Sequence, residues 1–327
     1  MDPTVIDRLQ FDAQALMAEH RPAWRHQNKG IVYDVACPSG AIHRGTLTYT
    51  RWQRAPLPEN ANPSAAADRV APRAGFYDYE AERDFDTAME WHVNFADPYL
   101  FIGHNSPLFA QDEMQVAEHP ALGALRDQFR ARGKHPLTEE DGDPTPILIA
   151  GIERRCRVAI DRDETAGRPR GLYGNEFARA APEAVRRATL SIDPPTVTNL
   201  IAMAAPRGGP GPYSLEEIES VLTTAYVGFR AAVLETLSSR GLESRTIVHT
   251  GYWGCGAFGG NRVLMSLLQA LAGELSGVHR LVFHSGDDRA ALDKALTILK
   301  SLRQAPTPMI AIELQAREFE WGTSDGN

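Results

Sequence analysis

The most glycine-dense stretch of the chain is TGYWGCGAFGGN, from Thr250 to Asn261, with five glycines in ten positions between an expected strand and an expected helix. Glycine lets backbone N–H groups approach a ligand closely and adopts positive φ without steric cost. A helix start just beyond adds about half a positive charge. The chemistry this suits is the binding of an anion, above all a phosphate. The register is neither that of a P-loop, which needs Gly-Lys-Ser/Thr, nor the Gly-x-Gly-x-x-Gly dinucleotide fingerprint. A tight strand-to-helix packing turn would use the same residues, so composition alone leaves both readings open. A second stretch, Val93 to Glu113, passes from an expected strand through a Gly/Asn/Ser/Pro loop to two adjacent carboxylates, Asp112 and Glu113. Adjacent acids are usually a solvated helix start facing the macrodipole. A carboxyl whose pKa is raised by burial or by its neighbour can instead do acid/base work.

The elements around these stretches set the fold class. Val5 to His20 carries Ile6, Leu9, Leu16 and Met17 at helical spacing, so residues 4–20 are expected to be a helix with Thr4 as its cap. Gly30 to Val35 and Gly45 to Trp52 have the β-branched and aromatic density of strands. Ala55 to Gly75, with four prolines, is expected to be a surface loop. In the second half, Pro146–Ala150, Thr246–His249, Leu281–His284 and Met309–Leu314 are expected strands. Ser214 and Glu217 form a capping box for a helix that Gly241 stops. Further helices are expected over about 261–272 and 289–302. Strands alternating with helices give an α/β class with a mostly parallel or mixed sheet.

Composition bounds the function. The chain has 327 residues, with 34 Lys+Arg against 42 Asp+Glu for a net charge of −8. That balance argues against a protein coating nucleic acid by bulk charge. No run of about 18 apolar residues suggests a membrane helix. The N-terminus lacks the basic-then-apolar pattern of a secretory signal, so a cytoplasmic, membrane-free protein is expected. Cys37, Cys156 and Cys255 are too widely spaced for a disulfide framework or a zinc knuckle. His92, His104, His119 and His249 lack carboxylate pairing at metal-site spacing, so no metal is expected. His104 is a possible substrate contact within the second stretch. Arg154, Arg155 and Arg157 form a basic cluster, expected in a loop.

Together the two stretches resemble the poly(ADP-ribose) glycohydrolases. Val93 to Met114 is similar to their VDFAN–GGG–QEE catalytic region, and Thr250 to Leu264 to their TGNWGCGAFGGD diphosphate loop. Ala225 to Phe229 resembles the family's AYCGF helix end, and Leu200 to Ala204 stands where its apolar strand IVAIDA falls. Order and spacing agree across residues 90–315. The resemblance implies a macrodomain-like mixed sheet flanked by helices, with residues 1–89 as an N-terminal accessory layer and 90–327 as an ADP-ribose-binding catalytic domain, and a monomer is expected.

Carried over residue by residue, Glu113 falls on the second Glu of QEE, the family's catalytic acid/base, with Asp112 in place of the first Glu and Gln111 retained. Asn94 and Asp97 fall on the Asp and Asn of VDFAN. Gly254, Gly256, Ala257, Phe258 and Gly259 match the loop that wraps the diphosphate. Tyr173 stands near the family's stacking tyrosine, and Ser285 replaces an aromatic of FTFGD. Where the family has three glycines this chain has Phe101, Ile102 and Gly103. Two bulky side chains there are expected either to line the pocket or to hold the loop away from the family position. The implied activity is hydrolysis of the O- or N-glycosidic bond of ADP-ribose conjugates on protein or nucleic acid, mono-ADP-ribose favoured over polymer, with no cofactor. The alternative is a non-catalytic ADP-ribose reader.

Overall fold

The computed structural model describes residues 1–82 and 87–326. The first elements are β1 (Val5–Asp12), α1 (Ala13–Glu19), α2 (Gln27–Ala36), β2 (Thr46–Trp52), β3 (Asn60–Ala61), α3 (Pro63–Asp68) and β4 (Val70–Arg73). Next come β5 (Ala88–Ala96), α4 (Gln111–Glu118), α5 (Pro120–Ala131), β6 (Glu139–Glu140), β7 (Asp143–Pro144) and β8 (Ile147–Val158). The middle of the chain forms α6 (Glu176–Arg179), α7 (Pro182–Ala188), β9 (Thr189–Ala204) and α8 (Leu215–Arg240). The remainder forms β10 (Arg245–Thr250), α9 (Arg262–Ser276), β11 (Arg280–His284), α10 (Arg289–Ser301), β12 (Ala305–Pro306) and α11 (Thr307–Gln315).

Eight strands make one mixed sheet in the order β1-β2-β8-β9-β5-β10-β11-β4. From β9 to β4 neighbours are parallel, and from β9 through β8 and β2 to β1 they are antiparallel. Period-two alternation splits the apolar residues between two cores. Met89, Trp91 and Val93 of β5 join Ile201 and Met203 of β9 in a core roofed by α8 and α9. Ala96, Leu200 and Ala202 face the other way, into a core shared with α2, α4 and α5. This α/β sheet covered on both faces is the expected class. Strands β1, β2 and β4, all from the first 89 residues, lie at its two edges. Among the described residues no helix is long and apolar enough to cross a membrane.

Four expected elements differ. Val5–Asp12 pairs with β2, from Val5↔Trp52 to Asp12↔Thr46, so only Ala13–Glu19 is helical. Its cap is Asp12, whose Oδ1 accepts from the Ala15 N–H at 2.8 Å. Gly30 to Val35 lies inside helix α2. That helix buries Asn28 and Lys29 as well as Ile31, Val32 and Tyr33, which erases the polar alternation that marks a helix in sequence. The proline-rich 55–75 segment folds into α3, started by Pro63 and capped by Asn62, and into β4. Met309–Leu314 is part of α11, with Ile310, Ala311 and Leu314 buried and Met309 and Ile312 exposed. Prolines at residues 306 and 308 mark that helix start. The remaining expected strands and helices of the second half stand as read. Ser214 and Glu217 cap α8 reciprocally, at 3.2 and 2.7 Å.

Helix α8 reaches the sheet closely at Gly228, where a Cβ would lie 3.1 Å from Ile201 Cγ2 and Met203 Sδ. Gly228→Val is expected to cost about 1–3 kcal/mol through overpacking, read as a lower urea midpoint. An unchanged midpoint would show that this contact gives way freely.

Candidate active site

The carboxyl ends of β5, β9, β10 and β11 meet at one end of the sheet, and a cavity of about 1670 Å³ opens there. Crevices outside the carboxyl ends of parallel strands are where α/β sheets bind ligands. The glycine-rich loop forms one wall. Gly254 and Gly259 have φ of 75° and 67°, the left-handed region that favours glycine. A Cβ on Gly254 would lie 2.5 Å from the Ala205 Cβ, so this glycine is required by space as well. Trp253 pins the loop from below, donating from Nε1 to the Met203 carbonyl at 3.0 Å. Asn261 caps α9, accepting from the Val263 and Leu264 N–H groups, each at 3.1 Å. Gly254, Gly256, Ala257, Phe258 and Gly259 all line the cavity.

The opposite wall is the start of α4, fastened to β5 by its own polar side chains. Gln111 accepts from the Phe95 N–H at 2.7 Å and donates to the Val93 carbonyl at 3.0 Å, pairing like an added strand residue. Asn94 donates to Asp112 Oδ1 and to Gln115 Oε1, each at 2.9 Å, and Gln115 donates onward to the Tyr79 hydroxyl. Glu113 Oε2 accepts from the Ala110 N–H at 3.1 Å, and a Cβ on Gly103 would collide with Glu113 Oε1. Both carboxyls are buried. Burial, then the Glu113 charge, holds Asp112 well above the ordinary carboxylate range, against the Asn94 hydrogen bond. Burial also raises Glu113, opposed first by the Lys29 ammonium. Glu113 is thus a carboxyl whose pKa burial raises, in the same cavity as the glycine-rich loop.

Of the residues singled out in sequence, Asp97, Gln111, Asp112, Glu113, Tyr173 and the glycine-loop five share this cavity. Asp97 pairs with Arg207 at 3.5 Å, and Arg207 lies over the Phe258 ring. Tyr173 stacks on Phe76 at 6.2 Å, and burial pushes its phenol up to about 12. Asn94 is not in the wall: it is fully buried behind Asp112, a support for α4 rather than a surface for ligand. Gly103 stands behind Glu113, also outside the cavity lining. Phe101 takes φ of 52° and buries its ring in the core, while the half-exposed Ile102 points elsewhere. Neither lines the cavity, so of the two expectations for this loop the lined pocket does not hold. His104 is buried away from it, with Nδ1 against the Phe101 carbonyl and Nε2 3.6 Å from Asp127.

The basic cluster lies in strand β8, not in a loop. Arg154 is paired with Glu118 at 2.8 Å and, with Arg157, lines the cavity, whereas Arg155 stands outside the lining and donates to the Ala36 and Ile42 carbonyls. Burial pushes the Cys255 thiol up to about 12, which leaves it a poor nucleophile. Among the described residues no group of His, Cys, Asp and Glu could hold a metal ion. Sequence reasoning missed Lys29, the 76–79 aromatic arm and the 322–325 segment. The dense aromatics of Phe76, Tyr77 and Tyr79 were a usable signal; the other two carried none.

Residues 173–293 match the family profile described as poly(ADP-ribose) glycohydrolase (PARG), macro domain fold. Over this segment the chain is similar to the poly(ADP-ribose) glycohydrolase family. The match spans the glycine-rich loop, α8 and the strands on either side, and the mixed sheet flanked by helices is macrodomain-like. Among solved structures, poly(ADP-ribose) glycohydrolase from Thermomonospora curvata bound to the inhibitor ADP-HPD is 15% identical, covering 84% of this chain and 99% of that one, with a TM-score of 0.44. The Deinococcus radiodurans glycohydrolase in complex with ADP-ribose is 15% identical, covering 73% and 90%, with a TM-score of 0.40. No match is found among the curated proteins.

Asp112 yields a stability prediction with a definite sign. Its folded pKa is raised, so the native state holds a proton that the unfolded chain releases above about 4. The stability tied to that proton is full below this range and is lost as pH rises toward the raised folded pKa. Asp112→Asn should therefore gain stability relative to wild type as pH goes from about 4 to about 8, measured by urea midpoints. A constant difference across that range would show that Asp112 stays ionised.

Proposed function

We propose that this protein is an ADP-ribosyl glycohydrolase, cleaving the O- or N-glycosidic bond of ADP-ribose conjugates with Glu113 as acid/base. The observation that carries the reading is the one cavity shared by the buried Glu113, whose pKa burial raises, and the glycine-rich loop. The diphosphate would rest on the N–H groups of Gly254 to Gly259, where the helix α9 start adds its dipole. Tyr173 and Phe258 would flank the ring systems. Protonated Glu113 donates to the leaving group as the bond at the ribose anomeric carbon lengthens toward an oxocarbenium ion. The carboxylate so formed then takes a proton from the attacking water, which restores the acid. The diphosphate charge favours both the cation and the protonated form of Glu113.

Mono-ADP-ribosyl conjugates on protein or nucleic acid are the favoured substrates. Phe101, keyed into the core, fixes the course of a loop that in the family is three bare glycines. A second ADP-ribose unit would meet a differently placed surface there, and a few lost contacts at about 1.4 kcal/mol per tenfold suffice to discriminate.

Released ADP-ribose is to be measured from mono-ADP-ribosylated protein, modified DNA and poly(ADP-ribose). Wild type should favour a mono-conjugate over polymer by at least ~10-fold in kcat/KM, and Glu113→Gln should lower turnover at least ~10²-fold with ADP-ribose affinity within a few-fold. Unchanged turnover in Glu113→Gln would remove Glu113 from the mechanism. Binding without turnover on every substrate would favour the non-catalytic reader. Gly256→Val should cost several kcal/mol of ADP-ribose affinity, because a branched side chain displaces the anion from its N–H donors. Calorimetric titration of the folded variant decides this. Equal affinity would make the loop a packing turn only.

A further inference from the structure

Lys29 is fully buried on α2, and an isolated ammonium in such a place needs strong partners. Its Nζ donates to the His104 carbonyl at 2.7 Å and to the Gly103 carbonyl at 3.2 Å. The same Gly103 leaves no space for a Cβ beside Glu113 Oε1. Three elements far apart in sequence thus converge on one carboxyl: α2, the 101–104 turn and the start of α4.

We propose that Lys29 is a positioning residue for Glu113: its ammonium grips the Gly103 and His104 carbonyls and seats the Gly103 backbone against the carboxyl. The inference rests on the acid/base reading of Glu113 given above. Charge complementarity supports it from both ends. Burial pushes Lys29 down to about 8, with Glu113 and then Asp112 acting in the opposite direction. The other titratable groups facing the pair are Asp97 beyond the end of β5, Tyr173 from the 171–175 turn and His104, which itself stands near Asp127 of α5. The Lys29 charge opposes the effect of burial on Glu113 ahead of the backbone hydrogen bonds of Glu113 and Ala110, whereas Asp97 adds to burial, so removing the ammonium shifts the balance toward the protonated form.

The ammonium therefore has two separable effects. It holds a backbone turn, which an uncharged donor can imitate, and it lowers the proton affinity of Glu113, which an uncharged donor cannot. Lys29→Met removes both. Lys29→Gln keeps an N–H donor and removes the charge.

The test follows the Glu113 carboxyl directly by NMR in protein isotope-labelled at glutamate side chains, its resonance identified by loss in Glu113→Gln, alongside the pH profile of kcat and the Kd for ADP-ribose. Lys29→Met should move the Glu113 titration upward by at least about one pH unit. It should lower kcat at least ~10-fold with Kd within ~3-fold, and shift the alkaline limb of the kcat profile upward with the titration. Lys29→Gln should recover part of kcat while its titration stays displaced. A folded Lys29→Met with an unmoved Glu113 titration, or with kcat lowered equally at every pH, would overturn the proposal and leave Lys29 as a packing residue. Should Lys29→Met fail to fold, the Lys29→Gln titration decides alone. A wild-type protein inactive on every conjugate would defeat the hydrolase reading, yet the titration would still judge Lys29.

Discussion

A carboxyl group can be buried beside an anion-binding loop only if its charge is removed or balanced. Much of the architecture at the carboxyl ends of the strands meets that constraint. Asp112 is fully buried, which pushes its pKa well above the ordinary carboxylate range, and Asn94 and Gln115 organise the polar atoms around it. Glu113 is placed one residue further along α4, at the cavity, with the Ala110 N–H and the Lys29 ammonium in partial compensation. Two neighbouring acids thereby receive different environments, Asp112 held by Asn94 and Glu113 by the Ala110 N–H and the Lys29 ammonium.

The same constraint explains the glycines. Gly103 is needed because Glu113 occupies the space of its side chain, and Gly254 because the loop turns against Ala205. Phe101 adopts a left-handed conformation that a bulky residue rarely takes. Burying its ring in the core compensates that strain. Segment 322–325 completes the cavity wall: the Gly322 N–H donates to the Gly259 carbonyl at 2.7 Å, and Trp321 stacks on Tyr213 at 3.8 Å. The cradle is therefore braced from the sheet by Trp253 and from outside by this strap.

What was legible in sequence was local. The glycine-rich loop between strand and helix, the capping box at Ser214 and the acids at the start of α4 each carry their signal within a few residues. The phase of β5 was not legible: Asn94 turns inward because Met89, Trp91 and Val93 take the opposite face, so a position aligned with a ligand contact became a support. Lys29 was hidden because a lysine in sequence reads as solvated, and its partners lie 74 and 75 residues away. Helix α11 and strand β1 were misread for a related reason. Short apolar runs suit either element, and tertiary pairing decides between them.

The central claim is that the cradle and Glu113 serve one ligand at once. A crystal structure of the protein soaked with ADP-ribose tests this most directly. The diphosphate should accept hydrogen bonds from backbone N–H groups of Gly254 to Gly259, with the terminal ribose anomeric carbon directed at the Glu113 carboxyl. A diphosphate bound elsewhere, or a ribose turned away from Glu113, would contradict it.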